Sequence, residues 1–235
     1  MPGIGNVGKV VADFLIEHSK AQKIISFFSH TLPNSVFVGE DNLIELPKIE
    51  LYHANVKGQD YLILTGDVQP SDELASYAFT EELLKRASEE WDVKTIITLG
   101  GIGLQEAPME PDIYVTGNDE KLIKQFTKEG ANNEVYGVVG PIIGVTGLLL
   151  GLSKEKNIPA AALLAETLGH PMYLGLRGAK ETLKLIAKVF KLSYPLDEID
   201  EEIDAMEDED QEDVDPATKK HLKKLKHYRD TNYIG

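Results

Sequence analysis

The chain has 235 residues, of which 42% are hydrophobic and 27% charged, and it contains no cysteine. The absence of cysteine excludes disulfide scaffolds, zinc fingers, thiol catalysis and iron–sulfur clusters. The net charge of -15 is unevenly distributed: residues 197–215 hold 13 acidic residues and no basic one, whereas residues 216–235 hold six Lys or Arg and one Asp. A short basic tail beside such an acidic segment argues against nucleic-acid binding. No signal peptide or membrane-spanning segment is predicted, so a cytoplasmic location without membrane insertion is expected.

The hydrophobic pattern of residues 1–196 predicts alternating helices and short strands. In chain order we expect a helix over 8–22, extended stretches at 24–29, 35–46 and 49–56, a buried strand at 60–66, a helix from a cap at Ser71 to about 91, a strand at 94–99 ended by a turn at 100–103, a strand at 112–116, a helix at 120–130, a strand at 159–165 and a helix at 179–192. This alternation indicates an α/β fold: a single domain of the three-layer type with a mixed or mainly parallel sheet.

The first residues form a glycine-rich motif that has two interpretations. Gly3-Ile4-Gly5-Asn6-Val7-Gly8 fits G-x-G-x-x-G, and with Lys9 it also fits G-x-x-x-x-G-K, so it could hold a phosphate at a helix start. Val10 stands where a magnesium-binding Ser or Thr would follow, and no strand precedes the loop. The favoured interpretation is a turn that brings the first helix close to the sheet.

A second glycine pattern lies in the uncharged stretch 135–153. Gly140, Gly144, Gly147 and Gly151 recur at helical spacing, which is typical either of a transmembrane dimerisation helix or of a buried helix packed on a sheet or a neighbouring subunit. The second interpretation is favoured, because the stretch is barely long enough to span a bilayer.

The best candidates for acid–base chemistry are Glu166 and His170, which follow an apolar strand, as ligand-binding residues often do in α/β proteins. The simpler interpretation of Glu166 is a carboxylate that caps a loop or helix, and the same applies to Asp67 and Glu106. The six histidines have no metal-ligand spacing, so neither a metal nor another cofactor is predicted.

Four segments resemble, in order, the archaeal branch of the proteasome assembly chaperone family. They are Pro2–Lys9 (PGIGNVGK), Leu64–Pro70 (LTGDVQP), Gly140–Leu150 (GPIIGVTGLLL) and Leu163–Pro171 (LLAETLGHP). The resemblance implies an α/β sandwich similar to purine nucleoside phosphorylases without catalysis. It also implies an ATP-independent chaperone that forms a homo-oligomer, ring-like in our interpretation, and binds proteasome α-subunits.

Family members can end in a hydrophobic residue, a tyrosine and any residue, an ending that inserts into pockets between α-subunits. Here Tyr233 is third from the end and follows a polar Asn, which departs from that pattern. We nevertheless predict that the tail carries the partner-binding residues. These are Leu222 and Leu225 on one face of a short basic helix, together with Tyr228, Tyr233, Ile234 and Gly235.

We therefore divide the chain into an α/β domain (1–196), an acidic linker (197–215) and a basic tail helix (216–235), with Ile199 and Ile203 spaced so that one helical turn can dock on the body. The leading hypothesis is a non-enzymatic assembly chaperone or adaptor that binds proteasome α-subunits, or another assembly-pathway protein, through residues 197–235. Two alternatives stay open. One is a nucleoside- or nucleotide-binding enzyme or sensor that uses the glycines at 3–8 and 100–103 with Glu166 and His170. The other is a scaffold for a different client.

Overall fold

The computed structural model describes residues 1–39, 41–170 and 173–207. The helices are α1 (Val7–His18, preceded by a 3-10 turn at Ile4–Asn6), α2 (Glu73–Glu89), α3 (Glu120–Lys128), α4 (Val145–Ser153), α5 (Leu176–Phe190) and α6 (Asp197–Glu207). The strands are β1 (Gln22–Phe27), β2 (Phe37–Val38), β3 (Ile44–Glu45), β4 (Ile49–Val56), β5 (Gln59–Gly66), β6 (Ile96–Leu104), β7 (Ile113–Gly117) and β8 (Ala160–Leu168).

The strands form two three-stranded sheets and one isolated hairpin within the described residues. The first sheet has the order β1-β4-β5 and is antiparallel, while β2 and β3 pair as a separate antiparallel hairpin. The other sheet has the order β6-β8-β7, in which β6 runs parallel to β8 and β7 runs antiparallel to it. The predicted α/β class with a mixed sheet is therefore confirmed.

Strand β8 lies at the centre of the core, and its side chains alternate between two apolar clusters. Leu163 faces a cluster built with α1, α3 and α5, whereas Leu164 faces a smaller cluster that includes Leu150 of α4. A central strand covered on both faces requires a continuous apolar sequence, which Ala160–Ala165 provides. Helices therefore cover one face of this sheet, and α4 with the loop before it covers the other.

The glycines at 100–103 were predicted to end a strand, and this prediction is wrong. Strand β6 continues through them to Leu104, in parallel register with β8. A Cβ at Gly101 would lie 2.4 Å from the carbonyl oxygen of Ile4, and a Cβ at Gly103 would lie 3.0 Å from the Cα of Gly169. These glycines permit close backbone approach across a strand, which is their second common use besides turns.

The cap of α2 is also displaced by one residue from its predicted position. Asp72, not Ser71, accepts a hydrogen bond from the backbone N–H of Ala75 at 2.8 Å. The Ser71 hydroxyl instead donates to the carbonyl oxygen of Thr31, which ties the start of α2 to the segment before β2.

The predicted glycine stripe does not form, because α4 is only nine residues long and begins after Gly140 and Gly144. Gly144 has a positive φ of 78° at the start of the helix, so the chain turns there. Among the described residues, no helix is both long enough and apolar enough to cross a lipid bilayer.

Helix α6 docks on the body as the spacing of Ile199 and Ile203 predicts. Ile199 is 1% exposed within the cluster formed by α1 and α5, and Ile203 packs against the same cluster. Lys180 of α5 forms an ion pair with Asp200, and His18 Nε2 lies 3.2 Å from Glu198 Oε2. The first part of the acidic segment is therefore helical and anchored.

Candidate interaction surfaces and the polar cavity

The β2–β3 hairpin presents an uncharged aliphatic face. Val38 pairs with Ile44, while Val36 and Leu46 directly flank the two strands, at positions that the same antiparallel register would place opposite each other. Because side chains alternate along a strand, these four side chains share one face. They are 50%, 62%, 70% and 57% exposed for Val36, Val38, Ile44 and Leu46 respectively, and we call them the outer hairpin face.

The orientation of this face follows from the other side of the hairpin. Glu45 alternates with Ile44 and therefore lies on the opposite face. Its side chain lines a polar cavity together with Lys9 and Asp13 of α1. The outer hairpin face therefore points away from the body, so an apolar surface is turned outward and a charged one inward.

A second apolar surface lies on the loop between α3 and α4. Tyr136, Val138 and Ile143 are 102%, 53% and 81% exposed, and we call them the loop surface. Neighbouring residues of the same loop, Val135 and Val139 among them, pack inward against the cluster around Tyr114 and Leu164. The inward residues fix the loop, and this arrangement holds the outward ones in place.

The polar cavity has a volume of about 340 Å³ and lies between α1 and strands β4 and β5. Lys9 Nζ lies 2.9 Å from Asp13 Oδ2 and 3.9 Å from Asp67 Oδ1. The Thr65 hydroxyl donates to Asp13 Oδ1 at 2.9 Å, and the backbone N–H of Lys48 donates to Asp67 Oδ2 at 3.1 Å. The charged groups thus satisfy one another, and the network fixes α1 against the antiparallel sheet.

Tyr52 and Glu50, on the wall of this cavity, form a hydrogen-bonded pair with shifted pKa values. Burial raises the pKa of Tyr52 to about 12, and the hydrogen bond that its hydroxyl donates to Glu50 at 2.7 Å adds to the rise. Burial alone would raise the pKa of Glu50, but hydrogen bonds from Lys23 and Tyr52 outweigh it and lower that pKa. The pair is therefore a neutral phenol that donates to an ionised carboxylate.

The Tyr52→Phe variant tests this state. The folded-state pKa of about 12 exceeds the unfolded value of about 10, so the stability linked to the Tyr52 proton is complete below pH 10 and is lost as pH rises towards 12. We expect urea unfolding to show a steeper loss of stability over this range in the wild type than in Tyr52→Phe. Identical pH profiles for the two proteins would contradict the assignment.

The glycine-rich start of the chain serves packing. Gly5 has a φ of +59°, and a Cβ placed there would lie 2.4 Å from the Thr167 hydroxyl oxygen. A Cβ at Gly8 would lie 2.5 Å from the carbonyl oxygen of Leu99, and the backbone N–H of Gly175 donates to the carbonyl oxygen of Gly5 at 2.8 Å. The space beside these glycines is filled by β6, β8 and the start of α5, which supports the packing interpretation over the phosphate-binding one.

Glu166 caps a loop, which is the simpler of the two roles that the sequence allowed, the other being acid–base chemistry. Its Oε2 accepts a hydrogen bond from the backbone N–H of Asp112 at 3.1 Å, and it thereby holds the start of β7. Thr167 is 1% exposed, and its hydroxyl has no hydrogen-bond partner among the described residues. The backbone carbonyl of His170 accepts from the N–H of Tyr173 in a turn, and Glu106 is exposed in the loop after β6.

The partner-binding residues predicted in the tail, Leu222, Leu225, Tyr228, Tyr233, Ile234 and Gly235, lie outside the described residues. Their role stays a prediction.

The outer hairpin face was missed by the sequence analysis, although a signal for it exists. Aliphatic residues occur at every second position on both sides of the Gly39–Asn42 turn, which is typical of a hairpin with one apolar face. That pattern cannot reveal whether the face is turned inward or outward. The outward orientation depends on Glu45, whose side chain lines the polar cavity together with Lys9 and Asp13 of α1, more than 30 residues earlier in the sequence.

A family model described as the PAC2 family matches residues 1–213. The chain belongs to the PAC2 family. The resemblance to the proteasome assembly chaperone family is thereby confirmed, and because this family is not one of enzymes, so is the prediction of a non-enzymatic protein.

Solved structures and a further relative agree with this assignment. The chain is similar to Pyrococcus furiosus PbaB, described as an archaeal proteasome activator, with 28% identity, coverage of 96% of this chain and 90% of that one, and a TM-score of 0.78. It shares the fold of Pyrococcus furiosus PbaA, described as an archaeal homolog of proteasome-assembly chaperone, with 19% identity, coverage of 96% and 87%, and a TM-score of 0.75. It is also 27% identical over 207 residues, 88% of this chain and 78% of the relative, to the uncharacterized protein MJ1210 of Methanocaldococcus jannaschii.

Proposed function

We propose that this PAC2 protein is an ATP-independent assembly chaperone or adaptor that forms a homo-oligomer and binds protein clients, proteasome α-subunits first among them, through its C-terminal arm (residues 197–235). The observation that carries the proposal is the similarity to the proteasome activator PbaB, which extends over 96% of the chain. The proposed location is the cytoplasm.

The exposed apolar residues of the body support a protein-binding role. The outer hairpin face and the loop surface place seven large apolar side chains in water, and six of them are aliphatic, as in the core-like interfaces of obligate homodimers. Exposed apolar surface of this kind marks protein–protein contacts more often than small-molecule sites, which are concave. The nucleotide alternative has no such support, because its glycines and Glu166 take part in packing and in loop capping.

The arm is suited to recruit a client at a distance from the body. Its acidic residues carry like charges, which favour an extended tether, and its basic end carries six Lys or Arg together with the apolar residues that we propose bind the partner. Because Ile199 is buried, we place the start of the extended tether after Glu207 and keep 216–235 as the binding segment. Several arms on one oligomer would act together through effective concentration.

Co-purification from the native extract tests the proposal, with residues 1–235 and residues 1–207 as the two baits. The shorter bait ends after α6 so that Ile199 stays buried, whereas a cut at Leu196 would expose the core. We expect proteasome α-subunits to bind the longer bait and to be lost at least about tenfold with the shorter one. Light scattering on both baits checks that their oligomeric mass is the same.

Two full-length variants separate specific from general effects of the arm. Leu222→Ser with Leu225→Ser removes predicted contact residues and should lose the client, whereas Thr231→Ala with Asn232→Ala changes neighbouring polar residues and should retain it. Capture of α-subunits by the 1–207 bait would contradict the role of the arm. Capture of other proteins in their place would favour the scaffold hypothesis.

A further inference from the structure

The outer hairpin face exposes a large apolar area for a hairpin with only two residues in each strand. Val36, Val38, Ile44 and Leu46, each at least half exposed, together leave roughly 400 Å² of aliphatic surface in water, within the range of the largest patch on a typical monomer. Such a patch is about half of the roughly 800 Å² that each partner contributes to a standard interface. The face is therefore large enough to form the apolar centre of one.

The hairpin also needs support that the body gives on one side alone. A two-stranded hairpin is marginally stable in water, and this one has only two residues in each strand. On its inner side Glu45 and Lys48 form an ion pair at the wall of the polar cavity. Burial of the outer side chains by a partner would stabilise the hairpin where the body does not.

We infer that the outer hairpin face is covered by the same face of a second copy of this chain, in a two-fold contact. A two-fold axis places a surface against itself, so the surface must not repel itself. The four side chains of this face are all uncharged and aliphatic, which meets that condition. This inference rests on the homo-oligomer of the proposed function and assigns its interface.

The composition of the face favours a permanent partner over a passing client. Transient interfaces use Tyr, Trp, Arg and polar groups, whereas obligate homodimer interfaces resemble a protein core. An aliphatic β-hairpin that stayed open between client encounters would also be a site of aggregation. A second copy of the chain is always present in stoichiometric amount, and it removes that hazard.

The first test is the mass of a charged variant. Val38→Lys with Ile44→Thr gives the face charge of one sign, which a two-fold contact would set against itself, while threonine keeps a high β propensity at the paired position. We expect the mass from light scattering to fall at least about twofold, with the circular dichroism of the wild type. The matched control, Glu120→Lys with Lys124→Glu, reverses an exposed ion pair on α3 and should keep the wild-type mass.

The second test uses the absence of cysteine from the chain, which makes any introduced cysteine the only one. A short bismaleimide should link Val38→Cys into a covalent dimer, whereas it should leave Glu120→Cys, whose side chain is 87% exposed, as single chains. This conservative variant gives the answer even if the charged variant fails to fold.

Each outcome supports or overturns the inference. A charged variant with unchanged mass, or a Val38→Cys protein that does not cross-link, overturns it and leaves the proposed function intact. Unchanged mass combined with loss of α-subunits would assign the face to the client and also overturn the inference. A wild-type protein that scatters as one 26.0 kDa chain overturns both the inference and the homo-oligomer, although arm-dependent client capture would still stand.

Discussion

Replacement of Gly5 by alanine is expected to lower the free energy of unfolding by about 2–4 kcal/mol. Two costs combine there. The φ of +59° places the residue in the left-handed region, and the new Cβ would lie 2.4 Å from the Thr167 hydroxyl oxygen and 2.7 Å from its methyl carbon. Urea unfolding measures the change as a lower midpoint. Gly5 joins the first turn to β8 and α5, so the loss should affect the whole domain.

The matched control is Gly3→Ala in the same turn. Gly3 has an extended backbone with a φ of -158°, and a Cβ there would have no described atom within 4 Å. Its effect should stay within about 0.5 kcal/mol, as is usual at exposed sites. Equal midpoints for the two alanine variants would contradict the packing role of the motif.

A double variant separates the two costs at Gly5. Thr167→Ala removes both atoms nearest to the new Cβ, and the hydroxyl it deletes has no hydrogen-bond partner among the described residues. We expect the double variant to regain roughly half of the stability lost by Gly5→Ala, because the left-handed backbone cost remains. If the effects of Gly5→Ala and Thr167→Ala on the free energy of unfolding were strictly additive, the strain at residue 5 would not come from contact with Thr167.

Local patterns predicted most of the elements but not the use of each glycine. The spacing of apolar residues located α1, β4, β5, α3 and α5 to within a few residues, because burial on one face of a helix or strand leaves a period in the sequence. Glycine gives no such information, since it suits both a turn and a close contact. Gly101 was therefore assigned to a turn, although the chain passes straight through it beneath Ile4.

The candidate sites show the same division between local and long-range information. Glu166 follows an apolar strand as a catalytic residue would, but the partner that fixes its role, the backbone N–H of Asp112, is 54 residues away in the sequence. The outer hairpin face has a readable alternation, whereas its outward direction depends on the contact of Glu45 with the cavity beside α1. Family resemblance supplied the functional class that neither pattern could.

Replacement of Ile199 by alanine is expected to cost about 2–4 kcal/mol, because this side chain is 1% exposed and its loss leaves a cavity against α1 and α5. Urea unfolding gives the overall cost, and amide hydrogen exchange shows whether α6 opens locally before the rest of the domain. Ile203→Ala is the control: it contacts the same cluster but is only partly buried, so its cost should be about half as large.

The position of α6 connects this stability to the proposed client binding. While Ile199 holds α6 on the body, the proposed tether starts after Glu207, and the ion pair between Lys180 and Asp200 helps to fix that point. Detachment of α6 would lengthen the tether by eleven residues and lower the effective concentration of the binding segment at a client site beside the body. We therefore expect Ile199→Ala to weaken α-subunit capture while Ile203→Ala retains most of it. Faster exchange in α6 with undiminished capture would show that the anchor serves stability alone.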